Sequence, residues 1–421
     1  MRPIATGKQP VSFSVAAAIL ALSLVVNLPG LAVSPMLADL KTIFPHSTQF
    51  EEQLLSLIPN LVIFPFVLLS GRLSLSRHKI AVVVCALILF TLSAAAYFFC
   101  HSMSGLIVIS GCLGAGAGLL IPFSTGLISD VYDGTYRTRQ MGLQSGISNM
   151  TLVAATFLVG VLASGNWHLP FVVYLVALIP LAMTPLLRKI PKNDLEDKTT
   201  VCAASATKPK IQSGRSPLTS GKTWATLGLY FLITYITVIV SLFCPYLVEK
   251  HSWSPALSGT VTSVYFLFVF IPGFILPWIL RTLGKNTFII SSALILAGMA
   301  GIALYPHQWM LIAGSGMCGL GYGIMQPVIY DKATKIMPDP ARATQTLAIV
   351  LSSNYLAIVL TPEIVDGFRS ILHASSMSNF AFALNAVISI GLLLMSILMR
   401  DKFAFRIDIP SSDEKRGSQA R

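Results

Sequence analysis

The sequence predicts an all-α integral membrane protein with 12 transmembrane helices in two six-helix, pseudo-symmetric bundles. Three observations predict it. Only 11% of the 421 residues are charged and 54% are hydrophobic, with a mean hydropathy of +0.74, whereas a soluble domain carries roughly 25% charged side chains. Apolar runs of the roughly 20 residues needed to cross a bilayer recur along the chain. The few charges sit in short clusters between those runs.

The runs fall near residues 12–37, 53–71, 80–99, 104–128, 142–164, 169–187, 224–247, 257–280, 287–305, 308–330, 343–364 and 377–399. The first is too long for a signal-peptide core and lacks a clear small-residue cleavage site, so it reads as the first span. With the N-terminus inside, 26 Lys and Arg fall in inner segments and 3 in outer loops. Cytoplasmic loops retain such excess. Both termini are therefore expected in the cytoplasm of a multi-pass protein of the cell membrane. A polar stretch from about 188 to 222, rich in Lys, Ser and Thr, reads as a linker. The expected division is an N-terminal bundle (1–190), the linker (191–222), a C-terminal bundle (223–400) and a cytoplasmic tail (401–421).

The net charge of +12 does not point to nucleic acid, because the basic residues are not gathered on one face. Cys85, Cys100, Cys112, Cys202, Cys244 and Cys318 show no metal-type spacing and read as packing residues. No metal or cofactor is expected. No phosphate-binding Gly-rich Lys-Ser/Thr motif is present, which excludes ATP-driven pumping by this chain. No nucleophile–base constellation suggests an enzyme.

An internal repeat supports the two-bundle expectation. "SGCLGAGAGLLIP" (Ser110 to Pro122) matches "SGMCGLGYGIMQP" (Ser315 to Pro327) at an offset of 205, and the register continues so that Arg137 meets Arg342 and Asn149 meets Asn354. Glycines at such spacing pack membrane helices closely. Repeated halves are the architecture that opens a central site alternately to each side.

With these features the chain resembles the major facilitator superfamily, in particular its drug-efflux-like branch. The resemblance implies a secondary transporter of a small organic solute, monomeric and coupled to protons by antiport. The family's loop after span 2 survives as "GRLSLSRHK", which keeps Gly71, Leu73 and Lys79, while Leu75 and His78 replace the gating Asp and second Gly. After span 8, "PWILRTLGK" keeps Gly284 and Lys285 with Arg281 in the acidic position. In span 4, Ser110 and Leu113 stand where proton-coupled members carry Arg and Gln. In span 5, Phe157 replaces the proline of the antiporter motif, though Gly160 remains. The fold is thus well supported by motifs that no longer carry the usual coupling residues.

The site is expected near the bilayer midplane. Polar side chains are costly there, which nominates Asn27, Asn60, Gln144, Asn149, Gln326 and Asn354. Tyr230, Tyr235, Tyr322 and Tyr355, with Met325 and Phe123, add an apolar surface edged with hydroxyls, suited to an amphipathic solute. Glu363 in span 11 is the candidate for proton coupling. Gly71, Lys79, Asp130, Arg137, Asp331 and Arg342 are candidates for an inner gate. Six histidines fall one to each outer loop. An importer, uniporter or exchanger of an organic anion or nutrient, and a membrane sensor without flux, remain the alternatives.

Overall fold

The computed structural model describes residues 3–4, 6, 11–29, 44, 49–74, 79–163, 168–187, 220–254, 256–337, 340–373 and 377–407. A two-stranded antiparallel ribbon, β1 (Pro3–Ile4) and β2 (Val11–Ser12), leads into helix. Twelve helical spans follow among the described residues. The first six are α1 (Phe13–Val26), α2 (Gln49–Leu73), α3 (Lys79–Ala96), α4 (Met103–Val131), α5 (Gly134–Ala163) and α6 (Leu169–Leu187), the last of which begins as a 3₁₀ helix. The second six are α7 (Gly221–Lys250), α8 (Ala256–Leu283), α9 (Thr287–Leu304), α10 (Gln308–Lys335), α11 (Pro340–Ile371) and α12 (Met377–Leu398).

Eight stretches are long and apolar enough to cross a membrane, one of them covering both α8 and α9. Two shorter apolar helices belong to α1 and α2. The twelfth span, α10, falls outside these because its glycines, Gln326, Asp331, Lys332 and Lys335 lower its hydropathy. Its polarity belongs to the site and not to a failure to span.

Several helices overrun the apolar runs that predicted them. α5 begins at Gly134 and not near 142, and α11 extends from Pro340 to Ile371 and not 343–364. Backbone hydrogen bonding continues the helix past the point where side chains turn polar. Of the first expected span, helix is described over Phe13–Val26; residues 30–43, the linker over 188–219 and the tail beyond 407 lie outside the described residues. The start of the expected tail returns to the bundle. Lys332 donates to the carbonyls of Phe403 (2.6 Å) and Arg406, and Phe405 packs edge-on against Phe288 at 5.6 Å.

The repeated glycines explain how the bundle closes. α4 lies on α2 and α3, and α10 lies on α8 and α9. A Cβ at Gly114 would meet the Pro59 carbonyl oxygen at 2.6 Å, and one at Gly319 would meet that of Tyr265. Gly116 abuts the α3 backbone at Ala86 and Phe90, and Gly321 that of α9 at Ser291. Gly118 faces Ile63 as Gly323 faces Val269. The same three positions make the same three approaches in both halves, so the repeat encodes backbone-to-backbone packing. Ser110, in the position of the family's Arg, is buried and shares a 2.6 Å hydrogen bond with Tyr97.

The Gly323→Val substitution places side-chain atoms where the Val269 carbonyl oxygen already lies 2.5 Å from a Cβ. It is expected to cost about 1–3 kcal/mol through overpacking, read as a lower thermal midpoint in detergent. Gly228→Ala, with nothing within 4 Å of its Cβ, should leave the midpoint unchanged. Equal midpoints for the two variants would refute the packing role.

Candidate functional site

Between the halves lies a cavity of about 1070 Å³, measured with its open mouth. Helical periodicity decides which side chains reach it. On α7 the lining residues are Tyr230, Thr234, Thr237, Val238 and Ser241, which share one face of the helix. On α10 they are Tyr322, Gln326 and Tyr330, one turn apart. α5 presents Gln144, Ser145, Ser148, Asn149 and Leu152, and α11 presents Leu351, Asn354, Tyr355 and Ile358. Asn27 and Asn60 join from α1's end and α2, Thr125 from α4, and Tyr265 and Phe266 from α8. No Asp, Glu, Lys, Arg or His is among these described lining residues.

The polar groups are organised around Gln326. Its Nε2 lies within hydrogen-bonding distance of the hydroxyls of Tyr330 (3.0 Å), Tyr322 (3.3 Å) and Tyr230 (3.4 Å). Its Oε1 accepts from Ser145 Oγ at 2.8 Å, which joins α10 to α5 across the two halves. The Tyr230 and Tyr330 hydroxyls are 2.8 Å apart, their rings edge-to-face. Asn354 Oδ1 accepts from Thr234 (2.9 Å) and Tyr322 (3.2 Å). Asn149 donates to the Ser145 carbonyl at 2.7 Å, bracing the same turn of α5.

Of the residues nominated from the sequence for substrate contact, Asn27, Asn60, Gln144, Asn149, Tyr230, Tyr322, Gln326, Asn354 and Tyr355 line the cavity. Phe123, Tyr235 and Met325 do not; they are buried in the helix packing. Each sits one or two residues from a lining position, about 100° of helix rotation per residue, so its side chain points into the bundle. Tyr330, Thr234, Thr237, Ser145 and Ser148 reach the cavity although no sequence argument singled them out. Tyr330 repeats the one-turn spacing of Tyr322 and Gln326, a signal that was available. Glu363 is exposed on α11 and stands apart from the lining.

One end of the cavity is shut where α5 and α11 begin. Arg137 Nε donates to Asp331 Oδ1 at 2.9 Å across the halves, and Lys335 approaches Asp331 Oδ2 at 2.6 Å. Asp130, buried, pairs with Lys79 at 3.1 Å within the N-terminal half. Tyr132, just past α4, is buried, which raises its phenol above the ordinary range and keeps it neutral. Close approaches reinforce the closure: Gly71 against Ala348, Gly126 against Thr344, and Gly142 against the Gly273 carbonyl. Arg342 lies at the start of α11 at this same end.

The sequence positions of the closure repeat only in part: at the offset of 205, Arg137 corresponds to Arg342 but Asp331 corresponds to Gly126, which lies against Thr344.

The described cysteines are free; Cys244 and Cys318 are buried in the packing, Cys85 and Cys112 are exposed, and Cys202 lies outside the described residues. Among the outer histidines, His101 and His168 meet edge-to-face with centroids 5.4 Å apart, and His307 accepts from the Trp309 amide at the start of α10. His46 lies outside the described residues.

Two six-helix halves around an uncharged cavity with an ion-paired end are the architecture shared by membrane transporters built from repeated halves. The particular family is the Major Facilitator Superfamily: its model matches residues 13–362, and the chain belongs to it. It is a multi-pass membrane protein. The fold is similar to that of the proton:xylose symporter XylE bound to 6-bromo-6-deoxy-D-glucose, with a TM-score of 0.73 and 13% identity, covering 92% of this chain and 95% of that one. It is also similar to FucP in the outward conformation, with a TM-score of 0.67 and 14% identity, covering 94% and 99%. Among curated proteins, the class H tetracycline resistance protein of Pasteurella multocida is 24% identical over 262 residues, 60% of this chain. The match spans 62% of that relative's length.

Asp331 is 6% exposed. Removing one partner of a buried ion pair costs about 3–5 kcal/mol through the charge left behind. The Asp331→Asn substitution is therefore expected to loosen the closed end. A cysteine introduced by Ser145→Cys should react several-fold faster with an impermeant maleimide added from that side, and an unchanged rate would show that the pair does not hold the closure.

Proposed function

We propose that this transporter exports an uncharged amphipathic organic solute across the cell membrane by alternating access, with its termini in the cytoplasm. The carrying observation is the cavity lining: tyrosine, amide and hydroxyl groups around an apolar wall, without Asp, Glu, Lys, Arg or His among the described residues. Such a surface dissolves a flat, weakly polar body and gives no compensation for a buried charge. The charge bias of 26 to 3 supports a cytoplasmic position for the closed end. The tetracycline-resistance relative supports export.

In this reading protons are the counter-ion and their seat is the closed end. Asp130 and Asp331 are buried carboxylates held by Lys79, Arg137 and Lys335. Breaking the Arg137–Asp331 pair would let the halves part. Glu363, the carboxylate nominated from the sequence, is exposed and serves as the comparison. The uncharged lining also favours a second reading, uniport or exchange, in which no proton moves.

Proteoliposome flux separates these. With a panel of uncharged aromatic amphipaths, a pH gradient should drive accumulation by the unsubstituted protein. Asp331→Asn should abolish that drive and keep counterflow, while Glu363→Gln should retain both. Accumulation that survives Asp331→Asn but is lost in Glu363→Gln would move the proton's seat to Glu363. Counterflow without any response to the gradient would leave uniport or exchange.

A further inference from the structure

Gln144 on α5 lines the cavity and is 3% exposed. Its Nε2 donates to Thr125 Oγ1 at 2.6 Å and to Ser124 Oγ at 3.1 Å. Ser124 spends its own proton on the Ile121 carbonyl at 2.8 Å, so toward Gln144 it can only accept. This fixes which way the amide points. Turning it over would keep only the contact to Thr125 and set Oε1 against the Ser124 hydroxyl, whose proton is already committed. Oε1 is thereby left buried without a hydrogen-bond partner.

Other amides of the cavity are engaged differently. Gln326 Oε1 is occupied by Ser145 and Asn354 Oδ1 by Thr234 and Tyr322. The Asn149 Nδ2 is taken by the Ser145 carbonyl. Across the cavity from Gln144, Asn354 has committed its oxygen.

We propose that Gln144 is a specificity-determining residue for a hydrogen-bond donor on the substrate: a neutral hydroxyl or N–H seated against Oε1, with the apolar body of the molecule lying toward Tyr265, Phe266 and Tyr355. A buried acceptor left unmatched is costly, and most of that cost is recovered when a ligand supplies a proton. The solute class is thus narrower than uncharged amphipaths in general: it is phenols, alcohols and amides with a free N–H, and their O- or N-alkylated forms are rejected. This rests on the proposed transport of uncharged solutes through the same cavity.

The test uses the full chain in lipid nanodiscs and a panel of naphthols, hydroxybiphenyls and hydroxyflavones, each paired with its O-methyl ether. The ether keeps the ring and the oxygen and loses only the donor. Binding is measured calorimetrically against empty nanodiscs. The unsubstituted protein is expected to prefer the hydroxyl member by about 5-fold to 100-fold, and Gln144→Leu should bring each pair to equality. Gln144→Glu, which keeps the acceptor and adds a charge, should preserve the preference for the donor and gain affinity for the corresponding aromatic amines in their protonated form. If both members of each pair bind equally to the unsubstituted protein, the role of Gln144 is overturned and the uncharged-solute reading stands. If no member of the panel binds, both fall.

Discussion

Inside a bilayer little water is present to satisfy a polar group, so an amide, hydroxyl or charge is costly unless it finds a partner within the chain or on a ligand. That constraint orders this structure. The polar side chains collect where two helical halves face each other, and the buried charges collect at the closed end of the space between them. The cross-half pair of Arg137 and Asp331 joins one group from each half, and each also meets an opposite charge of its own half, Asp133 and Lys335. Lipid would tolerate neither on an outer face. The position of the cavity and the position of the closure are both consequences of where partners exist.

The internal repeat separates scaffold from chemistry. Gly114, Gly116 and Gly118 and their counterparts Gly319, Gly321 and Gly323 perform equivalent packing in each half, because a pseudo-symmetric bundle needs the same close crossings twice. The side chains that define the cavity largely do not repeat. Gln326 corresponds to Ile121, Gln144 to Ile349 and Ser145 to Val350, while Asn149 and Asn354 remain matched. An asymmetric solute needs different partners on its two sides, whereas helix packing is indifferent to the solute. The divergence therefore falls on the residues that face the space between the halves.

The same division explains how much could be read from the amino acids. Twelve spans and their grouping into two halves follow from hydropathy and the repeat, since both are integrated over many residues and tolerate error at any one. Even α10, polar enough to fail a length-and-hydropathy criterion, is secured by its match to α4. Cavity residues depend on helix phase, where an error of one position rotates a side chain by about 100°. Thus Gln326 and Tyr322 were legible as buried polar groups, but Met325 beside them turns into the packing. Tyr235 was an attractive aromatic, yet its neighbour Thr234 holds the inward position and bonds to Asn354. Small hydroxyl residues such as Ser145 and Ser148 carry little signal in a membrane helix, because they also bond back to their own backbone or fill packing gaps.

Moving the halves is a question of comparing small energies. Inverting a conformational ratio from 1:99 to 99:1 requires about 5.5 kcal/mol of differential interaction. One ordinary hydrogen bond contributes about 0.5–1.5 kcal/mol, so the Ser145–Gln326 contact alone cannot lock the cavity. The Arg137–Asp331 pair, with Lys335 on the second carboxylate oxygen, belongs to a larger scale because breaking it strands charge in a low-dielectric setting. A neutral solute reaching the cavity cannot offset that cost by charge, and its leverage is confined to the amide and hydroxyl groups it satisfies. The closed end consequently needs a change of charge, or solvation by water entering from its own side, before it parts. In the proposed reading, recognition at the cavity and release at the closure fall to different chemistries, hydrogen bonding at one and the ion pair at the other.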